Sequence, residues 1–219
     1  MNQPEFHTSQ NPKEKAAEYL FQVLKEQLLS GKKVLWLVPG GSAISVAAEV
    51  SKKMKDMDLS GLSITLTDER YGQIGHPDSN WLQLEQSGFT MDGAHLYPVL
   101  SGESPEETVS SFNARLEIFL SESDVKIGLF GIGSDGHTAG ILPGSLAVNS
   151  DSFAVGYDAG AYKRITMTPK AIEKLDAAVA YATGESKKPT LEKLKQDVTV
   201  EEQPAQALKQ TKTFIIFND

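Results

Sequence analysis

The sequence predicts an α/β fold, in which a mostly parallel, twisted sheet is covered by helices on both faces to give three layers. Short apolar runs such as Val34–Val38 and residues 125–130 are typical of strands buried on both faces of a parallel sheet. Segments with apolar residues at helical spacing alternate with these runs. Glycine-rich turns follow both runs, as expected where a strand leads directly into a helix.

Composition excludes several classes of protein. The 219 residues are 40% hydrophobic and 23% charged, without an apolar run of the roughly 20 residues that a membrane span needs. With 21 basic and 29 acidic residues the net charge is -8, which disfavours binding to nucleic acid or to an anionic membrane. The absence of cysteine excludes disulfides and thiolate metal sites. Because the N-terminal residues lack the features of a secretory signal, we expect a cytoplasmic protein.

We expect a flexible tail over residues 1–12 and a single α/β domain over residues 13–219.

The N-terminal half of this domain contains two units of strand, turn and helix. A helical apolar pattern begins at Lys13 and can end at Gly31. After Val34–Val38, a Pro-Gly-Gly turn leads to Ser42, which is placed to cap the next helix.

Further strands and helices follow the same patterns. Residues 62–67 alternate as a strand that ends in Thr-Asp-Glu-Arg, and residues 76–80 form a turn before a short helix. Ser104, Pro105 and Glu107 spell a capping box with proline at the first helical position. The remaining predicted strands cover residues 125–130, 164–168, 177–183 and 213–217, and Thr168 with Pro169 marks a helix start.

Two glycine-rich turns lie at the carboxyl ends of strands, where α/β proteins bind ligands. Gly40, Gly41 and Ser42 can hold an anion with backbone N–H groups, or can simply form a tight turn. The second turn spells G-x-G-x-x-G from residue 131 to residue 136. A dinucleotide site there is disfavoured because Asp135 would face the pyrophosphate and Pro143 would interrupt the helix.

Several charged residues stand near these turns. Histidine exchanges a proton near neutral pH, and Asp135 can orient His137, although a loop histidine is more often an ordinary surface residue. Strand alternation places Asp68 and Arg70 on one side and Glu69 on the other. In an acidic chain, the cations Arg164 and Lys187 at strand ends suit a phosphorylated ligand, or are surface residues. The turn that holds His76 can also line a site.

Four segments, in this order, resemble the 6-phosphogluconolactonase family. They are LVPGGSAISV, LTDERYGQIGHPDSN, GLFGIGSDGHTAGILPGS, and the later RITMT with GESK. The resemblance implies the fold shared with sugar-phosphate isomerases and hydrolysis of 6-phospho-D-glucono-1,5-lactone to 6-phospho-D-gluconate in the oxidative pentose phosphate pathway. It implies no cofactor and no metal. The expected ligand is a small phosphorylated sugar lactone, and the sequence does not identify a protein partner.

The resemblance also implies roles for particular residues. His137 would be the catalytic histidine, with Asp135, Asp68 and Arg70 in the catalytic group. The expected phosphate-binding residues are Gly40, Gly41, Ser42, Arg164 and Lys187, and His76, Asn80 and Gly133 are possible lining residues.

Departures from the family pattern and two alternative functions remain. Ala43 and Ile44 replace the usual Thr-Pro after the glycine turn, and Gly140 to Leu142 replace Ser-Leu-Phe. Tyr71 and Gly72 replace the usual apolar residues after Asp-Glu-Arg. One alternative is an amino-sugar-6-phosphate deaminase or isomerase. Such relatives resemble this chain but carry a glutamate just before Pro-Gly-Ser, where this chain has Leu142. The other alternative is a non-catalytic protein that binds a sugar phosphate for regulation.

Overall fold

A seven-stranded, wholly parallel sheet forms the centre of the protein. The computed structural model describes residues 2–219. The strands of this sheet run in the spatial order β1-β10-β9-β6-β2-β3-β5. In chain order they are β1 (Glu5–Thr8), β2 (Val34–Val38), β3 (Leu62–Leu66), β5 (His95–Tyr97), β6 (Val125–Gly131), β9 (Ala177–Tyr181) and β10 (Thr213–Asn218). Strand β2 lies between β3 and β6, and the chain passes from β2 to β3 on one side while β6 is added on the other. Because the strand order reverses at this point, a ligand crevice is expected at the carboxyl ends of β2 and β6.

Within residues 2–219, six helices flank the sheet, which confirms the predicted α/β fold. They are α1 (Pro12–Leu29), α2 (Ile44–Met54), α3 (Asn80–Gln86), α4 (Pro105–Glu122), α5 (Pro169–Ile172) and α6 (Lys188–Leu194). Each residue of β2 is buried, as the continuous apolar run predicts for a central strand. Among residues 2–219, none of the helices is long and apolar enough to cross a membrane.

A second, three-stranded antiparallel sheet was not predicted. It consists of β4 (Asp68–Arg70), β8 (Lys163–Met167) and β7 (Ala154–Asp158), in the order β4-β8-β7. The sequence predicted that Asp68 to Arg70 would only end the preceding strand. The chain instead changes sheets at Thr67, whose N–H donates to Val38 and whose carbonyl accepts from Met167. Short-range alternation reports a strand but does not identify its neighbours, so this pairing was not visible in the sequence.

The predicted N-terminal tail is corrected by the structure. Residues Glu5–Thr8 form the edge strand β1, paired in parallel with β10, and helix α1 already begins at Pro12. The ring of Phe6 packs against the core, and His7 contacts the ring of Phe217 at 5.1 Å between centroids. The short, polar-rich strand lacks a periodic pattern of its own because its stability comes from an existing sheet edge. Met1 lies outside the described residues.

Helix starts follow the predicted caps with one exception. The Ser104 capping box is complete, and the Thr168 side chain accepts from the Ala171 N–H. The prediction for Ser42 was wrong: a short 3-10 helix, Gly41–Ala43, precedes α2, and the Ser42 side chain makes no capping bond. This extra turn leads directly into the helix and displaces serine from the capping position.

Candidate active site

A cavity of about 370 Å³ lies at the carboxyl ends of β2 and β6, beside the small sheet. It is surrounded by residues from five segments that are distant in the chain. Its lining consists of Pro39, Gly40, Gly41, Ser42, Asp68, Arg70, Gly131, Ile132, Gly133, Ser134, His137, Ala139, Arg164 and Lys187. Nine of these are predicted site residues, so the fold brings most of the predicted set together.

The glycine turn after β2 forms one wall of this cavity. Gly41 has φ +66°, in the left-handed region that glycine adopts without strain. Gly40 lies against the side chain of Asn80 so closely that a Cβ atom on Gly40 would come within 2.5 Å of Asn80 Nδ2. The turn therefore needs glycine for conformation at one position and for space at the other. Its N–H groups stand at the start of the 3-10 helix and α2, where an anion is favoured.

His137 is held by Asp135 at a second wall. Oδ1 of Asp135 accepts from the His137 backbone N–H at 3.1 Å and lies 2.6 Å from His137 Nδ1. Burial alone would raise the pKa of Asp135, but the backbone bond and the imidazole outweigh burial and leave that pKa below its usual range. Because an ionised carboxylate only accepts hydrogen bonds, the contact favours a proton on Nδ1, and in a neutral imidazole this arrangement leaves Nε2 as the acceptor.

Gly133 is required by this pair. A Cβ atom on Gly133 would overlap the imidazole of His137 and would lie 2.6 Å from Asp135 Oδ1. The Gly133 N–H donates to the His137 carbonyl, which closes the loop around the pair. The glycine pattern of this loop therefore serves the histidine–aspartate contact.

Two arginines face each other across the small sheet. Arg70 in β4 is directly opposite Arg164 in β8, a pairing of like charges that is unfavourable without a compensating anion. Asp68 supplies part of this compensation, with Oδ2 3.7 Å from an Arg164 nitrogen. The buried Nε atoms of both arginines lack hydrogen-bond partners among residues 2–219. Both arginines line the cavity, so their guanidinium groups give it a positive charge that favours an anionic ligand.

Other contacts fix the Arg70 side chain. Its terminal nitrogen donates to the Asp78 carbonyl at 3.0 Å, and its guanidinium lies 5.4 Å from the centroid of the Tyr162 ring. Lys187, at the end of the short 3-10 helix Glu185–Lys187, also lines the cavity. Burial lowers the pKa of the Lys187 ammonium, and the side chain has no ion pair within the described part of the chain.

Three predicted site residues lie behind the cavity wall. Asp135 does not line the cavity itself, and its carboxylate contacts the lining residue His137. His76 Nε2 lies 2.8 Å from the Arg70 carbonyl, and its ring packs on Gly72. Asn80 is fully buried, and its Nδ2 donates to the Asp68 carbonyl at 2.9 Å.

Sequence reasoning missed some residues around the cavity. Ala139 has φ +49°, a conformation that is uncommon without glycine, in the segment directly after His137. Gly140 is packed against Thr166 and Asp68, and its carbonyl accepts from the Tyr157 hydroxyl at 2.5 Å. No periodic pattern reveals these contacts, because they join loops to a sheet whose pairing was not predicted.

The fold and the cavity define an α/β protein with cationic side chains and a glycine turn beside a histidine–aspartate pair. A family model described as glucosamine-6-phosphate isomerases/6-phosphogluconolactonase matches residues 7–216. The chain belongs to this family.

Individual relatives agree with the family assignment. A 6-phosphogluconolactonase of Xylella fastidiosa is 28% identical over 187 residues, covering 79% of this chain and 76% of that protein. One from Nostoc sp. is 29% identical over 136 residues, and the chain spans 56% of its length. The crystal structure of a 6-phosphogluconolactonase from Shewanella baltica superposes with a TM-score of 0.84 at 21% identity, covering 99% of this chain and 97% of that one. This last similarity shows the shared fold.

Proposed function

We propose that the chain hydrolyses 6-phospho-D-glucono-1,5-lactone to 6-phospho-D-gluconate. The observation that carries the proposal is the placement of His137 in the same cavity as the glycine turn, two arginines and Lys187. A phosphorylated lactone has a dianionic group at one end and a reactive ester at the other. This cavity offers cations and N–H donors together with a proton acceptor, as that substrate requires.

The phosphate end is proposed to bind the glycine turn, Arg164 and Lys187. Backbone N–H groups of Gly41 and Ser42 and the start of α2 favour an anion, and the two cations neutralise it. Holding the phosphate far from the ester orients the ring, so that binding energy contributes to the position of the reacting carbon.

His137 is proposed to act as general base and then as general acid. Its neutral imidazole takes a proton from water through Nε2 while the water oxygen bonds to C1 of the lactone. The tetrahedral intermediate then collapses, the bond from C1 to the ring oxygen breaks, and the imidazolium returns the proton to that oxygen. Asp135 keeps the tautomer and stabilises the imidazolium, and general acid–base catalysis of this kind contributes about 10²- to 10⁴-fold.

Arg70 is proposed to stabilise the developing negative charge, with backbone N–H groups of the glycine loop as further donors. Arg70 lines the cavity, and its contacts with the Asp78 carbonyl and the Tyr162 ring hold the guanidinium in place. Such preorganised donors act most strongly where charge develops during the reaction. Asp68 beside Arg164 is proposed to orient that arginine.

The amino-sugar-phosphate isomerases of the same family are a second candidate. The position that would carry their glutamate is Leu142 here, which is only partly buried and does not line the cavity. An apolar side chain has no proton to exchange with a sugar ring oxygen, which favours the lactonase. Residence in the cytoplasm stays a prediction.

A pH-stat assay tests the proposal. Each lactone hydrolysed at neutral pH releases one proton, so base uptake above the spontaneous rate measures turnover directly. We expect saturable hydrolysis of the phosphorylated lactone and weaker activity on unphosphorylated gluconolactone. Binding of 6-phospho-D-gluconate without any rate above background would instead support a non-catalytic binding protein, and turnover of an amino-sugar phosphate would support the isomerase.

A further inference from the structure

Glu69 is a fully buried carboxylate that does not line the cavity. It stands between two residues that do, Asp68 and Arg70. Within residues 2–219, no lysine, arginine or histidine forms an ion pair with Glu69. A buried charge without a counterion is costly, and is retained only where other groups satisfy it.

Four hydrogen bonds from two segments satisfy the Glu69 carboxylate. Oε1 accepts from the Asn80 N–H at 2.6 Å and from the Arg70 N–H at 2.8 Å. Oε2 accepts from the Ser79 hydroxyl at 2.9 Å and from the Trp81 N–H at 3.1 Å. One carboxylate therefore joins strand β4 to the first turn of helix α3.

These bonds exceed what helix capping requires. Helix α3 already has an N-cap, since the Ser79 side chain accepts from the Leu82 N–H. Burial raises the pKa of Glu69, and its hydrogen bonds counteract this only in part. All four partners donate to the two oxygens, so the hydrogen bonds match the ionised carboxylate, and a purely structural cap would not need all of them.

Asn80, the first residue of α3, connects Glu69 to the glycine turn. Its Nδ2 donates to the Asp68 carbonyl at 2.9 Å, and its amide group packs directly on Gly40. Its Oδ1 is buried and lacks a hydrogen-bond partner among the described residues. One side chain thus contacts both the strand that carries Arg70 and the turn that is proposed to bind phosphate.

We propose that Glu69 and Asn80 form a positioning unit that sets the spacing between Arg70 and the Gly40–Ser42 turn. The unit acts on substrate recognition through these two elements, and neither of its side chains lines the cavity. This inference rests on the proposed function, because the spacing matters only for a substrate that has a phosphate at one end and an ester at the other.

Glu69→Gln is the main test, because glutamine keeps the volume of the side chain. Its NH₂ group cannot accept from a backbone N–H, so the bond from Trp81 is lost if NH₂ replaces Oε2, and the bonds from Asn80 and Arg70 are lost if it replaces Oε1. A matched control is Asp176→Asn, at a carboxylate outside the cavity that accepts from the Lys126 N–H at 2.8 Å and from Lys212 Nζ at 2.6 Å. The melting temperature, kcat and KM are measured for phosphorylated and unphosphorylated gluconolactone.

We expect Glu69→Gln to raise KM for the phosphorylated lactone by about tenfold or more, since small misplacements of binding groups are costly. KM for the unphosphorylated lactone should stay near the wild-type value, and Asp176→Asn should change neither. In Glu69→Gln/Asn80→Ser, KM should resemble that of the more impaired single variant, because both changes break the same unit.

Three results would overturn the inference. KM values that stay at the wild-type level for both substrates, with or without a loss of Vmax, show that the carboxylate does not set the spacing. Additive effects of the two substitutions show that the residues act separately, and a KM change in Asp176→Asn shows that any lost carboxylate has this effect. If Glu69→Gln does not fold, Asn80→Ser alone carries the test, and an unchanged KM ratio between the substrates refutes the unit.

Failure of the proposed function is distinguishable from failure of this inference. If the wild-type chain hydrolyses no lactone, titration with inorganic phosphate followed by calorimetry or NMR replaces KM. Weaker phosphate binding in Glu69→Gln, but not in Asp176→Asn, supports the positioning unit without catalysis. Equal phosphate affinity in the wild type and in Glu69→Gln overturns it.

Discussion

Removing the two members of the histidine–aspartate pair should have effects of different size. His137→Ala removes the proposed base, and we expect kcat to fall at least about 10²-fold with a modest change in KM. Asp135→Asn leaves the imidazole and removes only the ionised partner. A hydrogen bond to a charged group is worth about 1.5–3 kcal/mol and a neutral one about 0.5–1.5 kcal/mol, so about 1–1.5 kcal/mol is lost.

That loss corresponds to a decrease in kcat of about 5- to 13-fold. The side chain of Asp135 is 52% exposed and that of His137 is 34% exposed, so solvent screens their interaction. We therefore expect Asp135→Asn near the lower end, at about fivefold. The order of the two variants follows from the geometry, because the imidazole lines the cavity and Asp135 does not.

Initial rates from the pH-stat, corrected for spontaneous hydrolysis, give kcat for each variant. His95→Ala is a matched control, because His95 is an exposed histidine on the edge strand β5. Circular dichroism shows whether each variant is folded. Wild-type kcat in a folded His137→Ala enzyme would remove the imidazole from the mechanism, and an equally large loss in Asp135→Asn would show that the carboxylate does more than orient it.

Three further predictions concern the phosphate end and the packing beneath it. Arg164→Ala or Lys187→Ala should raise KM for the phosphorylated lactone by about tenfold or more and spare unphosphorylated gluconolactone, and equal losses on both would contradict phosphate recognition. Because burial lowers the pKa of Lys187, its charge is lost at a lower pH than in an exposed lysine. The dissociation constant of 6-phospho-D-gluconate, measured by calorimetry, should therefore rise early on the alkaline side, whereas the same curve for Lys187→Arg should begin to rise at higher pH. Gly140→Ser should lower the free energy of unfolding by about 1–3 kcal/mol, because a Cβ atom there would lie 2.9 Å from Thr166 Cβ and 3.1 Å from Asp68 Cβ. Urea unfolding measures this change, and an unchanged midpoint would show that the surrounding side chains relax freely.

The sequence predicted the central sheet because its strands depend on local patterns. A continuous apolar run such as Val34–Val38 has few stable environments other than the centre of a parallel sheet. Ligand-binding loops gather at the carboxyl ends of such strands, which indicated the Gly40–Ser42 turn and the loop of His137 as candidate site loops, but the roles of particular residues came from the family resemblance.

The parts that sequence reasoning missed depend on partners that are distant in the chain. Strand β4 pairs with β8, whose residues lie nearly a hundred positions later, and β1 pairs with the C-terminal strand β10. Glu69 shows the same limit at the level of one side chain. Strand alternation predicted that Glu69 points to the other side of the strand from Arg70. Only the fold shows that its carboxylate accepts hydrogen bonds from N–H groups in the first turn of α3.

The acidic composition of the chain is compatible with an anionic substrate because local geometry, and not net charge, decides binding. The net charge is -8, yet the cavity is lined by Arg70, Arg164 and Lys187. The Asp78 carbonyl and the Tyr162 ring hold the Arg70 guanidinium, Asp68 lies beside Arg164, and Lys187 is partly desolvated. In the proposed complex, the phosphate would therefore meet cations that the fold already holds in place. The cost of holding these cations is met when the chain folds, which leaves more of the interaction energy available to bind and orient the substrate.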